Sequence, residues 1–483
     1  MRRSNCANSV SSTDGMRPVN FNFKRFADPV HQSIGLSKLE VEVVATKAFQ
    51  RLRGVKQLGL APLVFPGADY SRFSHSLGVC HITGKILNAL QNNSGISIAP
   101  KEIQMYRLAA LLHDIGHYPF SHTMEDAGGQ FYSDHKLEDG VEVGPSAFWG
   151  HESVGKHVVR VAPELRDLLA GEDYDPKDVT DIFTREHPPR FGNLVSSDLD
   201  ADRIDYLLRT AHHTGLPYGS VDIDYLLSQM QVDDDGLICL PAKAMRAAEH
   251  FLLCRYFDYQ QVSYHKTVAG LERVLVCVIS TLLRDRAIMC SQDDIQNMIT
   301  DGRWHTFDDA FLVGHMRTLA GSSDPVVAAQ VRAILERNPP RLVFEEEQIV
   351  DRKGSDALKH MKKRVEGQID SWADEFHIDR SLWYPWERKQ TITKIGSHVP
   401  IPDRLSGESD GTGEDDTDED VAQAIRVQVG DGRASKPIMK HGNSLMNVLS
   451  NYELVAYRLY VLLPEGQDGL RRPIQDKIKK FLA

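Results

Sequence analysis

The sequence predicts a mostly α-helical fold with a smaller α+β lobe at its C-terminal end. Three observations predict it. Apolar residues recur at three- and four-residue spacing from Leu36 to about residue 340. The stretch 241–288 is strongly apolar along one face, from Met245 through Leu282. Beyond residue 341, alternating and β-rich runs replace the helical pattern. At 483 residues the chain is long enough for a large core and a second lobe.

Residues 1–18 are polar and read as a disordered tail, with Met16 available as an alternative start. They lack the apolar core of a secretory signal. Residues 19–35 look irregular or hairpin-like. Helical periodicity begins near Leu36 and is broken at Pro62 and Pro66. A helix runs from Ser74 to Leu90, and another from Pro100 to His113, where Gly116 and Pro119 end it. Further helices are expected over 151–171, 194–214, 241–288 and 323–337. Past residue 341, ALKHMKKRVEGQIDSWADEF reads as one amphipathic helix. RKQTITKI, AQAIRVQV and ELVAYRLYVLL read as strands. The expected domains are therefore the tail 1–18, a helical domain 19–340 and an α+β lobe 341–483.

Net charge is −11, but residues 403–420 hold nine carboxylates and one arginine. That stretch reads as a disordered acidic insertion in the lobe, and the rest of the chain is near neutral. No run reaches the roughly 18–20 apolar residues that cross a bilayer, so no membrane partner is expected. The six cysteines form no CxxC pair. They read as free thiols in a reducing compartment, and the location expected is cytoplasmic.

The chemistry concentrates in three segments: RFSHSLG at 72–78, LLHDIGHYPFSH at 111–122 and DLDADRIDYLLRTAHH at 198–213. His75, the pair His113-Asp114 and Asp202 supply two imidazoles and two carboxylates. That mixed nitrogen and oxygen set suits one or two divalent cations, the second being Mg. Fe, Mn, Zn, Ni and Mg all remain open as the identity of the metal. Arg72 lies one helical turn before His75, as suits a phosphate bridging both. Three polar groups, His117, His122 and Glu125, follow the His-Asp pair. His151 begins another helix, and an imidazole with an ordinary pKa of about 6.5 suits a general acid.

Together and in this order these segments resemble the HD-domain phosphohydrolases. The closer resemblance is to deoxynucleoside triphosphate triphosphohydrolases of the SAM-and-HD-domain type, without the SAM domain. FQRLRGVKQLGLAPLVFPGADYSRFSHSLGV (49–79) and HDIGHYPFSH carry it. It covers residues 27–290 well and the C-terminal lobe loosely. The resemblance makes 19–340 an HD-type catalytic domain with metal ligands His75, His113, Asp114 and Asp202. It implies that Gln57 and Leu58 abut a deoxyribose and that Tyr206 packs under it. Arg72, Arg203, Arg255 and Lys266 would hold phosphates. His117, His122, Glu125 and His151 would surround the α-phosphate, with His151 the proton donor. The implied reaction is metal-assisted hydrolysis of a deoxynucleoside triphosphate to deoxynucleoside and inorganic triphosphate. A homodimer or homotetramer is implied, with an allosteric nucleotide as a further partner.

The match departs from the family at several positions. Arg203 and Glu125 stand where lysine and aspartate are usual. Thr210 replaces an aspartate near the sugar 3′-hydroxyl. In VSYHK (262–266) the tyrosine is shifted by one, so either Tyr264 moves in or Ser263 leaves a wider pocket. Ala45 replaces an aspartate that reads an activating guanine nucleotide, which argues against activation by GTP. The rival enzymatic reading is a phosphodiesterase or nuclease acting on another nucleotide or on single-stranded nucleic acid. A non-enzymatic nucleotide-binding regulator is a third.

Overall fold

The computed structural model describes residues 19–134, 148–184, 190–191, 194–195, 197–351, 357–391, 423–429 and 434–483. The expected tail 1–18 and acidic insertion 403–420 lie outside the described residues.

Strands Lys24–Asp28 and Gln32–Leu36 form an antiparallel hairpin. Leu36 therefore closes a strand, and the first helix starts later than the periodicity suggests, at Lys38. Ser37 caps that helix reciprocally with Glu40. Glu40 is buried and forms an ion pair with Arg107 at 2.7 Å, which ties this helix to the Pro100–Leu112 helix. The Arg72–Ser94, Pro100–Leu112 and Ala201–Thr214 helices pack together and carry the three segments singled out above.

Three expected helices depart from their apolar patterns. The 151–171 stretch breaks at Ala162, giving His151–Val161 and Pro163–Gly171, because Pro163 disfavours a helical residue before it. Among the described residues of 194–214 the α-helix is Ala201–Thr214, since Asp200 caps it by accepting from Arg203 N at 2.6 Å. The long run 241–288 divides into Met245–Asp258 and Lys266–Arg284. A wide turn over Tyr259–Ser263 joins them, closed by Tyr264 N donating to Tyr259 O at 2.8 Å.

The C-terminal sheet is antiparallel, with Tyr452–Val461 between Arg341–Asp351 and Trp383–Thr391. The run read as one amphipathic helix is two, Ala357–Glu366 and Ile369–Phe376, parted at Gly367. Arg341–Asp351 escaped the sequence reading because it is an edge strand with three successive glutamates, Glu345 to Glu347. The closing helix Arg471–Leu482 escaped it too. Arg426–Gln428 does not join this sheet. It pairs in parallel with Ile238–Pro241, so C-terminal chain is woven into the helical part. The apolar core runs continuously from Ile34 to Ile478. Among the described residues no helix is long and apolar enough to cross a membrane.

A strained turn delivers the His122–Asp134 helix. Phe120 and Ser121 both adopt left-handed backbone, at φ 53° and 52°. Asp309 holds this turn and the 55–57 segment together. Its Oδ1 accepts from Phe120 N at 2.8 Å and its Oδ2 from Lys56 N at 3.0 Å. Asp309→Ala leaves the buried Phe120 amide and the half-buried Lys56 amide unpaired and is expected to cost about 2–3 kcal/mol. Urea denaturation checks this, and a loss below about 0.5 kcal/mol, the range of an ordinary surface substitution, would refute the stapling role.

Candidate active site

The 55–57 segment runs antiparallel to 70–72, with Gln57 N donating to Tyr70 O at 3.1 Å and Arg72 N to Val55 O at 2.9 Å. This lays Gln57 and Leu58 beside the start of the Arg72–Ser94 helix. His75, on that helix, is wholly buried. Its Nδ1 meets Asp205 Oδ2 at 2.8 Å and its Nε2 meets Asp202 Oδ1 at 2.9 Å. Burial opposes charge on the ring, but these two carboxylates outweigh it and push the His75 pKa up to about 9.

His113 ends the Pro100–Leu112 helix, and its Nδ1 donates to Ala110 O at 2.7 Å. In the neutral ring that bond leaves Nε2 as the lone-pair nitrogen. Nε2 is buried, makes no hydrogen bond, and lies 3.3 Å from Asp114 Oδ1 and 3.8 Å from Asp202 Oδ1. Ligand atoms of His75, His113 and Asp202 all lie within 4.8 Å of one another. An orphaned imidazole nitrogen among carboxylates has the chemistry of a divalent-cation site. Asp114 borders it, with Oδ2 accepting from Arg72 Nη1 at 2.6 Å and lying 3.8 Å from His75 Nε2. Burial disfavours the Asp114 carboxylate, yet Arg72, His113 and His117 hold its pKa well below the usual range.

A second cluster adjoins the first. His117 Nε2 lies 3.2 Å from Asp114 Oδ1, and its ring stacks on His151 with centroids 3.9 Å apart. Glu125 Oε1 accepts from His151 N at 2.6 Å and from His151 Nδ1 at 2.9 Å. Its Oε2 accepts from His122 Nδ1 at 3.0 Å. Burial and then Arg72 push the His117 pKa well down, whereas Glu125 outweighs burial and raises that of His151. The stacked pair therefore carries its proton on His151. Gly116 makes the approach possible, because a Cβ there would lie 2.2 Å from both Gly155 N and His151 O.

The remaining sequence candidates divide between this centre and the C-terminal sheet. Gln57 Oε1 is buried and without a hydrogen-bond partner. Arg203 pairs with Asp200 at 2.9 Å, and Arg255 donates to Asp198 O at 2.8 Å, so one loop gathers both guanidinium groups. Tyr206 sits one turn beyond Asp202 and meets Tyr259 edge-on at 6.4 Å. Tyr264 is covered by a guanidinium, that of Arg388 at 3.6 Å from the ring centroid. Lys266 pairs with Glu345 of the C-terminal sheet at 2.6 Å. Thr210 shares a 2.7 Å hydrogen bond with Tyr70.

Sequence reasoning missed two contributors, Ser121 and Arg388. Ser121 Oγ accepts from Arg72 Nε at 2.9 Å. Asp205, on the helix face of Asp202 and Arg209, pairs with Arg209 and supports His75, and its place three residues after Asp202 was the signal for it. Arg388 had none, lying 124 residues from Tyr264 in the chain.

Residues 72–210 match the family model described as the HD domain. The chain is 33% identical over 258 residues to an uncharacterised Bacillus subtilis protein, YwfO, covering 53% of this chain and 55% of that one. It is 31% identical over 222 residues to the mouse deoxynucleoside triphosphate triphosphohydrolase SAMHD1, covering 40% of this chain and 32% of that one. The chain thus spans about half the length of the first of these relatives and a third of the second. A hypothetical protein from Aquifex aeolicus has a similar fold, with TM-score 0.65 at 23% identity over 95% of this chain and 100% of that one. So has a phosphohydrolase from Bacteroides thetaiotaomicron, with TM-score 0.65 at 22% identity over 90% and 99%.

Replacing the orphaned ligand tests the centre directly. His113→Ala is expected to lose its bound divalent ion in elemental analysis of the purified protein, while far-UV circular dichroism is unchanged. Full metal occupancy in that variant would remove His113 from the ligand set.

Proposed function

We propose, on the premise that residues 72–210 form an HD domain, that the chain is a metal-dependent phosphohydrolase. In its finer form, the reading is hydrolysis of deoxynucleoside triphosphates at the α-phosphorus to deoxynucleoside and inorganic triphosphate. The observation that carries it is His113 Nε2, buried and unbonded between Asp114 and Asp202, with Arg72 against the same Asp114. The deoxynucleoside triphosphate triphosphohydrolase activity for which the mouse relative is named supports the finer form.

A divalent ion held by His75, His113, Asp114 and Asp202 would supply a polarised phosphoryl oxygen and a water of lowered pKa. Arg72, already oriented by Asp114 and Ser121, neutralises charge on the phosphoryl group. His151 holds a proton because Glu125 favours its charged form, and it delivers that proton to the departing 5′-oxygen. His117, kept neutral, spaces His151 from Asp114. Arg203 and Arg255 take the triphosphate. Gln57 Oε1 and Leu58 meet the sugar edge, with Tyr206 beneath it.

Purified, metal-loaded protein is expected to release inorganic triphosphate from single or mixed deoxynucleoside triphosphates, resolved by ion-exchange chromatography. Release of nucleoside monophosphates from single-stranded DNA or RNA instead would overturn the reading in favour of a nuclease. His151→Gln is expected to lower kcat by roughly 10²–10⁴-fold, the usual worth of a general acid. Its metal content should match the parent's, and an unchanged kcat would exclude His151 as the acid.

A further inference from the structure

We propose that the N-terminal hairpin, Lys24–Asp28 with Gln32–Leu36, sets the affinity of the metal centre, with His31 and Asp28 as positioning residues. The inference rests on the ligand role of His75. For Nε2 of His75 to present a lone pair to an ion, Nδ1 must carry the ring proton and have an acceptor. That acceptor is Asp205 Oδ2, at 2.8 Å.

Asp205 is fully buried, so its orientation depends on the groups that bond it. Two elements supply them. Arg209, one turn along the same helix, donates Nε to Oδ2 and Nη2 to Oδ1, each at 2.9 Å. From the hairpin, His31 Nε2 meets Oδ1 at 2.6 Å. The hairpin also holds Arg209, whose Nη1 donates to Asp28 Oδ2 at 2.9 Å. Asp28 Oδ1 in turn accepts from Val30 N at 3.0 Å and His31 N at 2.8 Å, which shapes the turn that presents His31. Both supports of Asp205 therefore pass through one short turn 44 residues before His75 in the chain.

Gly78 supplies a second, independent sign that the slot is built. A Cβ at Gly78 would fall 1.8 Å from Asp205 Oδ1 and 2.6 Å from Arg209 Nη2. The glycine of RFSHSLG thus leaves the space through which the carboxylate reaches His75. The contact chain runs from hairpin to Asp205 to His75, so an ion that orders His75 also favours the docked hairpin, and the coupling is reciprocal.

The test uses the full chain and Mn²⁺ alone, with affinity read by chelator competition. His31→Ala is expected to weaken Mn²⁺ binding by roughly 10–100-fold, as loss of an outer support does. His31→Gln, whose amide nitrogen can still reach Asp205, should retain most of the affinity, and Lys24→Ala on the exposed strand should retain all of it. In the unaltered chain, Mn²⁺ should slow amide exchange across residues 24–36, a readout that needs no variant to fold. Affinity in His31→Ala within about twofold of the parent, against that 10–100-fold expectation, or exchange in 24–36 indifferent to Mn²⁺, would overturn the hairpin's role alone. A parent chain that binds no Mn²⁺ would overturn the metal-centre reading as well.

Discussion

His75 has no access to solvent, so both of its ring nitrogens must find partners inside the protein. That single requirement organises the surrounding helices. Asp202 and Asp205, three residues apart on one helix, face the two sides of the ring. Two carboxylates this deep are costly unless cations answer them. Arg209 and His31 answer Asp205. Asp202 faces His75 Nε2 at 2.9 Å and His113 Nε2 at 3.8 Å, in the cluster proposed to hold a divalent ion.

The second cluster solves a different problem with the same residue types. Two stacked imidazoles cannot share two protons at close range without repulsion, and their surroundings separate them. Burial and then Arg72 disfavour charge on His117, whereas Glu125 outweighs burial and favours it on His151. The backbone pays for this closeness in conformational restriction. Glycine is required at 116, and the chain takes left-handed geometry at Phe120 and Ser121. Support comes from far along the chain. Asp309 bonds Phe120 N, and Arg51 donates to His117 O at 2.7 Å while its guanidinium lies 4.0 Å over the ring of Trp304.

Much of the fold was legible because helical burial writes a period into the chain. The Arg72–Ser94 and Pro100–Leu112 helices follow their apolar spacing closely. Where the reading ran long, backbone chemistry overrode the apolar pattern: Pro163 divides one helix, and the Asp200 cap delays another. The strand Arg341–Asp351 was illegible for the converse reason. An edge strand buries little of its surface, so its glutamates carry no alternation to read.

The sequence by itself singled out the side chains proposed to carry chemistry. His75, His113, Asp114 and Asp202 are legible because metal-ligating and phosphate-holding residue types are rare enough in combination to stand out along the chain. Only the tertiary structure decided what supports them. It brings His31 and Asp28 from the hairpin to Asp205, Asp309 to the turn before His122, and Arg388 onto Tyr264. Those contacts join residues far apart in the chain, and each supporting residue is an ordinary polar type with no local period or motif. Orientation of a buried ligand is a property of packed neighbours, and packing is written in three dimensions.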